Sequence, residues 1–201
     1  MLAAPALVAL PYLLAGTGVA HAGSQLEEPL IDSVRSALSA AVRNAAPPVP
    51  EFPHVQAQTH YQSWLQGMRG RLKGRRPEVD DWQDFLQTVW YEAKRAGLDV
   101  SLVLGLIQVE SNFRQHAVSS AGARGYMQVM PFWVGNIGAP DHDLFHLRLN
   151  LRYGCTILRH YLDIEHGDLY RALGRYNGSL GQSQYPTMVV GAWRRYWSYA
   201  P

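Results

Sequence analysis

Glu110 is the residue around which chemistry could be built. It ends a run that is apolar almost throughout, Val103-Leu104-Gly105-Leu106-Ile107-Gln108-Val109-Glu110. A carboxyl at the end of a buried helix is costly. Desolvation favours its protonated form, and the negative end of the helix dipole acts in the same direction. A carboxyl kept protonated near neutral pH is a ready general acid. By position alone, an ordinary helix-end glutamate, solvated or salt-bridged, is the favoured reading of Glu110. The residues that follow, 111–131, are small, polar and Gly-rich, and could fold back over that carboxyl.

Other chemistries find little support. His142 and His146 are four apart, which can place two imidazoles on one helix face, but the stretch is loop-like and no His-Glu-x-x-His motif exists. No metal is expected. Cys155 is the single cysteine, so no internal disulfide can form. It sits in the apolar run Tyr153-Gly154-Cys155-Thr156-Ile157-Leu158 and reads as a small buried thiol without a basic neighbour to activate it. No Gly-rich phosphate loop is present, and no cofactor is expected. A net charge of +2 gives no case for a nucleic-acid binder.

Several helices must position Glu110. At 201 residues with 47% hydrophobic content, the chain can build one domain with extensions. Residues 77–96 carry Glu78, Asp80 and Asp81 at one end, an apolar stripe from Trp82 through Phe85, Leu86, Val89 and Ala93, and Lys94 and Arg95 before Gly97. That pattern predicts a helix. Asp99 caps the next, which should run to about Phe113 and be the central buried one. Residues 119–129 predict a turn or short hairpin, and residues 127–131 lead into another helix. Further helices are expected over 146–163, 169–176 and 189–197. Strand signals are scarce, so the fold class is mainly α.

Glu110-Ser111, Ala117-Val118-Ser119, and Gly122-Ala123-x-Gly125-x-Met127-Gln128-x-Met130-Pro131 together resemble the core of the soluble lytic transglycosylases. Asn150-Leu151-Arg152-Tyr153-Gly154 and Arg175-Tyr176-Asn177-Gly178 continue the match in the family's order. The resemblance covers about residues 82–197. It implies a lysozyme-like fold of the goose type, with at most a short β-hairpin, and cleavage of peptidoglycan glycan strands. It also implies Glu110 as the single catalytic acid and base, and here the sequence concurs. No other Asp or Glu lies between Glu110 and Asp141, where most glycosidases would need a second carboxylate. The bond cut would be the β-1,4 link between N-acetylmuramic acid and N-acetylglucosamine, leaving a 1,6-anhydro sugar. Matching positions assign Ser119, Gln128, Met130, Tyr176 and Asn177 to substrate binding. Ser119 would bond the acid or an N-acetyl group, and Gln128 and Met130 would line the cleft. Tyr176 would orient the Glu110 carboxyl through its hydroxyl, and Asn177 would support the N-acetyl group or the local turn. Tyr126, Arg175 and Ser179 depart from the family's commoner residues, which bears on subsite preference. The rival readings are a goose-type hydrolase and a non-catalytic peptidoglycan-binding or assembly protein.

The first third of the chain lies outside that match. Residues 1–20 hold no charged side chain and precede Ala20-His21-Ala22, a small-x-small pattern. This reads as a signal peptide over 1–22, with a retained anchor as the alternative, because no Lys or Arg precedes the apolar run. Export to the periplasm or cell envelope follows. Residues 23–76 form a preceding segment: a short amphipathic helix over 29–42, a Pro-rich linker over 44–53, and a basic run of Arg69, Arg71, Lys73, Arg75 and Arg76. That run reads either as a solvated loop or as a patch for a membrane or cell-wall machinery. Residues 77–201 are expected to be the catalytic domain, acting as a monomer.

Overall fold

A computed structural model describes residues 25–27, 29–30, 32–43, 50–75 and 81–199. The signal-peptide reading over 1–22, most of the Pro-rich linker, Arg76, and the first residues of the helix expected from 77 lie outside these. Among the described residues the chain is helical, with α1 (Asp32–Arg43), α2 (Val55–Arg75), α3 (Trp82–Arg95), α4 (Val100–Glu110), α5 (Phe132–Ile137), α6 (Leu147–Ile164), α7 (Leu169–Asn177) and α8 (Gln184–Ala192). A π-helical turn, Trp193–Trp197, follows α8 directly. In place of a hairpin there are two isolated antiparallel bridges, Val118 with Arg124 and Arg124 with Val129. The mainly α expectation therefore holds.

Caps set the register of the helices around Glu110. Asp81 accepts from the Asp84 amide at 2.9 Å, Asp99 from the Leu102 amide at 2.9 Å, and Asp168 from the Arg171 amide at 3.0 Å. Each satisfies an amide that its helix cannot. α4 is buried on nearly every side: Val103, Leu104, Leu106 and Ile107 are fully inaccessible. α3, α8 and the π-helical turn pack around it. At Gly105 a Cβ would stand 2.7 Å from the Trp193 amide nitrogen, so glycine is what allows the two backbones to touch.

Two expectations are corrected. α4 stops at Glu110 rather than continuing to Phe113, because Asn112 (φ 49°) and Phe113 (φ 62°) turn left-handed. The basic run is not a loop. Arg69 to Arg75 form the C-terminal part of α2, a helix hidden in the sequence by Gly67, Gly70 and Gly74. Tyr61, Trp64, Leu65, Met68 and Leu72 line its buried face and join the main core.

A buried ion pair ties α1 to this core. Glu92 on α3 accepts from Arg152 Nε (3.1 Å) and Nη2 (2.8 Å) on α6, and from Arg95 Nε (2.9 Å). Arg95 and Arg152 also donate to the carbonyls of Ala41 (2.6 Å) and Val42 (3.4 Å), at the end of α1. Both charges of the Glu92–Arg152 pair are almost fully buried, and these added bonds offset their desolvation.

Candidate active site

Glu110 ends α4 at 5% exposure. The Tyr185 hydroxyl, on α8, donates to its Oε1. Tyr185 is buried, and its ionisation is pushed well above the usual range, first by burial and then by the Glu110 charge. The phenol therefore keeps its proton and stays a donor.

Residues 111–130 form a compact loop that follows Glu110 directly. Ser111 Oγ, nearly inaccessible, donates to the Tyr126 carbonyl at 2.7 Å and pins the loop's far side to the end of α4. Gln128 Nε2 donates to the carbonyls of Ala117 (3.1 Å) and Gly125 (2.9 Å). Asn150, fully buried on α6, holds the loop from below. Its Oδ1 accepts from the Met127 amide at 2.8 Å, and its Nδ2 donates to the carbonyls of Arg124 and Leu144, each at 2.8 Å. Gly125 has φ 75°, and a Cβ there would lie 2.3 Å from Asn150 Nδ2. Both backbone angle and space require glycine.

The Tyr176 hydroxyl donates to the Met127 carbonyl at 2.7 Å. The tyrosine bonded to Glu110 is thus Tyr185, whereas the sequence reading gave that task to Tyr176. Tyr176 instead braces the loop, with its ionisation also pushed well above the usual range by burial and the Glu110 charge. Ser119 Oγ accepts from the Ala123 amide at 3.0 Å, a turn contact that leaves its O–H to donate. Met130 is half-buried against the core. Asn177 Nδ2 donates to Ser179 Oγ at 3.0 Å, while its buried Oδ1 finds no donor among the described residues.

Two participants were missed from sequence. Tyr185 lies 75 residues from Glu110, just before the span expected to be helical, and no local pattern marks it. Gln25 belongs to the N-terminal segment yet is 4% exposed. Its Oε1 accepts from Trp133 Nε1 at 2.8 Å, and against the larger effect of burial it favours the ionised form of the nearby Tyr176 phenol. Glu27 Oε1 accepts from Asn136 Nδ2 at 3.1 Å. The segment thus reaches the wall formed by Met127 and Tyr176.

The remaining acids have other tasks. From Asp81 onward, every described Asp and Glu except Glu110 and Asp141 caps a helix, closes a turn or pairs with an arginine. Among the described residues no three His, Cys, Asp or Glu converge as a metal site, and His142 Nδ1 lies 2.8 Å from Tyr153 Oη. Cys155 is fully buried, and burial pushes its thiol far up, which keeps it unreactive.

The family model described as Transglycosylase SLT domain matches residues 87–187. The membrane-bound lytic murein transglycosylase C of Mannheimia succiniciproducens is 41% identical over 64 residues, which are 32% of this chain and 16% of that protein. The protein of the same name from Haemophilus ducreyi is 35% identical over 99 residues, 45% of this chain and 24% of that one. The chain thus spans a quarter or less of the length of these relatives. A solved structure of the lytic transglycosylase Slt from Pseudomonas aeruginosa, in an inactive mutant form, aligns over 84% of this chain and 35% of its own. Its TM-score is 0.43 and its sequence identity 21%.

Proposed function

Because this chain belongs to the transglycosylase SLT family, we propose that it cleaves peptidoglycan glycan strands without water, using Glu110 as both acid and base. One observation carries the reading: a buried carboxyl at the end of α4, held by Tyr185 and faced by a loop that Asn150 and Tyr176 fix in place. With Oε1 engaged as an acceptor, the acid proton is carried by Oε2. That proton goes to the glycosidic oxygen as the bond to C1 of N-acetylmuramic acid breaks. The sugar's own N-acetyl oxygen attacks C1 and takes up the positive charge. The C6 hydroxyl then displaces it, and its proton returns to Glu110. A 1,6-anhydro end forms, and the carboxyl is ready for the next cycle. The commitment of the other acids supports a mechanism with one catalytic carboxyl.

Ser119 has an O–H to offer the sugar, and the Asn177 Oδ1 is a buried acceptor suited to an acetamido N–H. Gln128 acts through the loop it staples. Met130 gives the wall an apolar face. Among the described residues no helix is long and apolar enough to cross a membrane. The apolar first twenty residues and the relatives' membrane-bound names support action at the cell envelope.

Digestion of purified peptidoglycan with product mass analysis tests the proposal. Products lighter by one water, as 1,6-anhydro ends, are expected. Reducing N-acetylmuramic acid ends alone would transfer the chain to lysozyme-type hydrolysis.

A further inference from the structure

The C-terminal part of α2 and the π-helical turn enclose a groove of about 660 Å³ that the Glu110 site does not use. Three arginines, Arg71, Arg75 and Arg195, line it, and none of its described lining residues is acidic. Arg71 Nη1 donates to the carbonyls of Tyr196 (3.0 Å) and Ser198 (2.8 Å), locking α2 to the end of the chain. The Arg75 guanidinium lies 3.8 Å from the centre of the Tyr196 ring, and that of Arg195 lies 5.4 Å from the same ring. Two exposed cations at one ring repel each other, and neither pairs with a carboxylate among the described residues. An anion beside them would relieve that repulsion.

The groove is built by missing side chains. Gly70 and Gly74 sit one turn apart inside α2, where glycine is a poor helix former. A Cβ at either would meet nothing within 4 Å, so packing does not demand them. Side chains there would fill the space in front of the guanidiniums. Exposed Lys73 and Arg194 extend the positive charge beyond what one small ion needs.

The π-helical turn that walls the groove is tied to α4 at Gln108. Trp197, at the end of the π-helical turn, donates from Nε1 to Gln108 Oε1 at 2.7 Å. Gln108 precedes Glu110 by two residues, about 200° around α4. A partner held here leaves the catalytic side uncovered.

We propose that this groove binds the phosphodiester headgroup of an anionic phospholipid and so holds the domain on a bilayer with the Glu110 side turned outward. Guanidinium forks match phosphate oxygens in pairs, which suits arginine over lysine in the groove itself. The proposal does not depend on the cleavage reaction.

Co-sedimentation of the full chain with vesicles tests it, using phosphatidylcholine alone or with about one third phosphatidylglycerol. Comparing these two compositions cancels any contribution of the apolar N-terminus. Wild type should favour the anionic vesicles, and each cation removed should weaken that preference about fivefold. R75Q/R195Q should therefore lose about 25-fold on anionic vesicles, with melting temperature and cleavage of soluble glycan fragments unchanged. G74L retains every charge and fills the groove; it should also lose the preference without loss of stability. Three results would overturn the proposal: R75Q/R195Q binding as wild type does; G74L retaining full binding, which would reduce the groove to diffuse surface charge; and release of the protein from vesicles by inorganic phosphate at matched ionic strength, which would make this a small-anion site.

Discussion

Tyr185 and Glu110 meet across 75 residues of chain, phenol to carboxylate oxygen, in a space nearly closed to water. Tyr185→Phe removes the bond and keeps the ring. The variant should lose about 10- to 100-fold in kcat, in the range of one misplaced acid-base group, with KM changed little. Tyr176→Phe should show the contrasting pattern, about 1 kcal/mol of stability lost with the Met127 bond and a smaller effect on kcat. Equal kcat losses in the two variants would remove the distinction drawn between them. Glu110→Gln should abolish cleavage with an unchanged melting temperature.

Asn150 makes two hydrogen bonds to the loop and a third to the Leu144 carbonyl from a fully buried position. Asn150→Ala leaves the Leu144 carbonyl and the Met127 amide unsatisfied, at about 1–3 kcal/mol each before relaxation, while the Arg124 carbonyl keeps the Val129 amide. Thermal unfolding should show a loss of several kcal/mol, and cleavage should fall with it. Gly125→Ala should do the same without touching Asn150 itself, since its Cβ enters the Asn150 amide.

The Glu92–Arg152 pair is expected to behave as buried pairs do. Arg152→Met strips Glu92 Oε1 of both its bonds and leaves the buried carboxylate to Arg95 alone, so the cost should approach but not reach the roughly 3–5 kcal/mol of a fully unpaired buried charge. Arg152→Met/Glu92→Leu should recover much of that loss in denaturant unfolding. A double variant no better than the single would argue against stranded charge as the cause.

Glu165 accepts from Arg171 and Arg175, and the Arg171 bond, then the Arg175 bond, holds its carboxyl below the usual range. A lowered folded value means stability present above the unfolded value of about 4.5 and lost as pH falls through the folded one. Wild type should therefore melt above Glu165→Gln at neutral pH, and the gap should close under acid. A gap constant down to the acid limit would exclude this linkage.

Gln25 presents a carboxamide to Trp133, and under the proposed function it would compete with an acetamido sugar for that donor. Gln25→Ala should raise kcat/KM on glycan fragments several-fold, through KM. An unchanged value would place its seat outside the sugar's path.

Much of this architecture could be read from residue order. Asp99, the apolar run after it and Glu110 announced a buried helix ending in an acid, and the small residues after Ser111 announced the loop. The limits were physical. α2 escaped notice because three glycines and a row of basic side chains mask the stripe from Tyr61 to Leu72. Tyr185 escaped because its partner is chosen by the packing of α8 on α4, which no local spacing encodes. Tyr176 and Tyr185 are both buried phenols with ionisation raised by the same carboxylate. Only their positions decide which one touches it.

The glycine at 105 brings two main chains together with no side chain between them to act as a bearing. The acid-carrying helix therefore cannot slip along its neighbour to widen the site. If the proposed glycan substrate threads through, whatever yields to it must lie elsewhere, in the 111–130 loop or the stretch of chain around Gln25, and those are the places to look for motion that limits turnover.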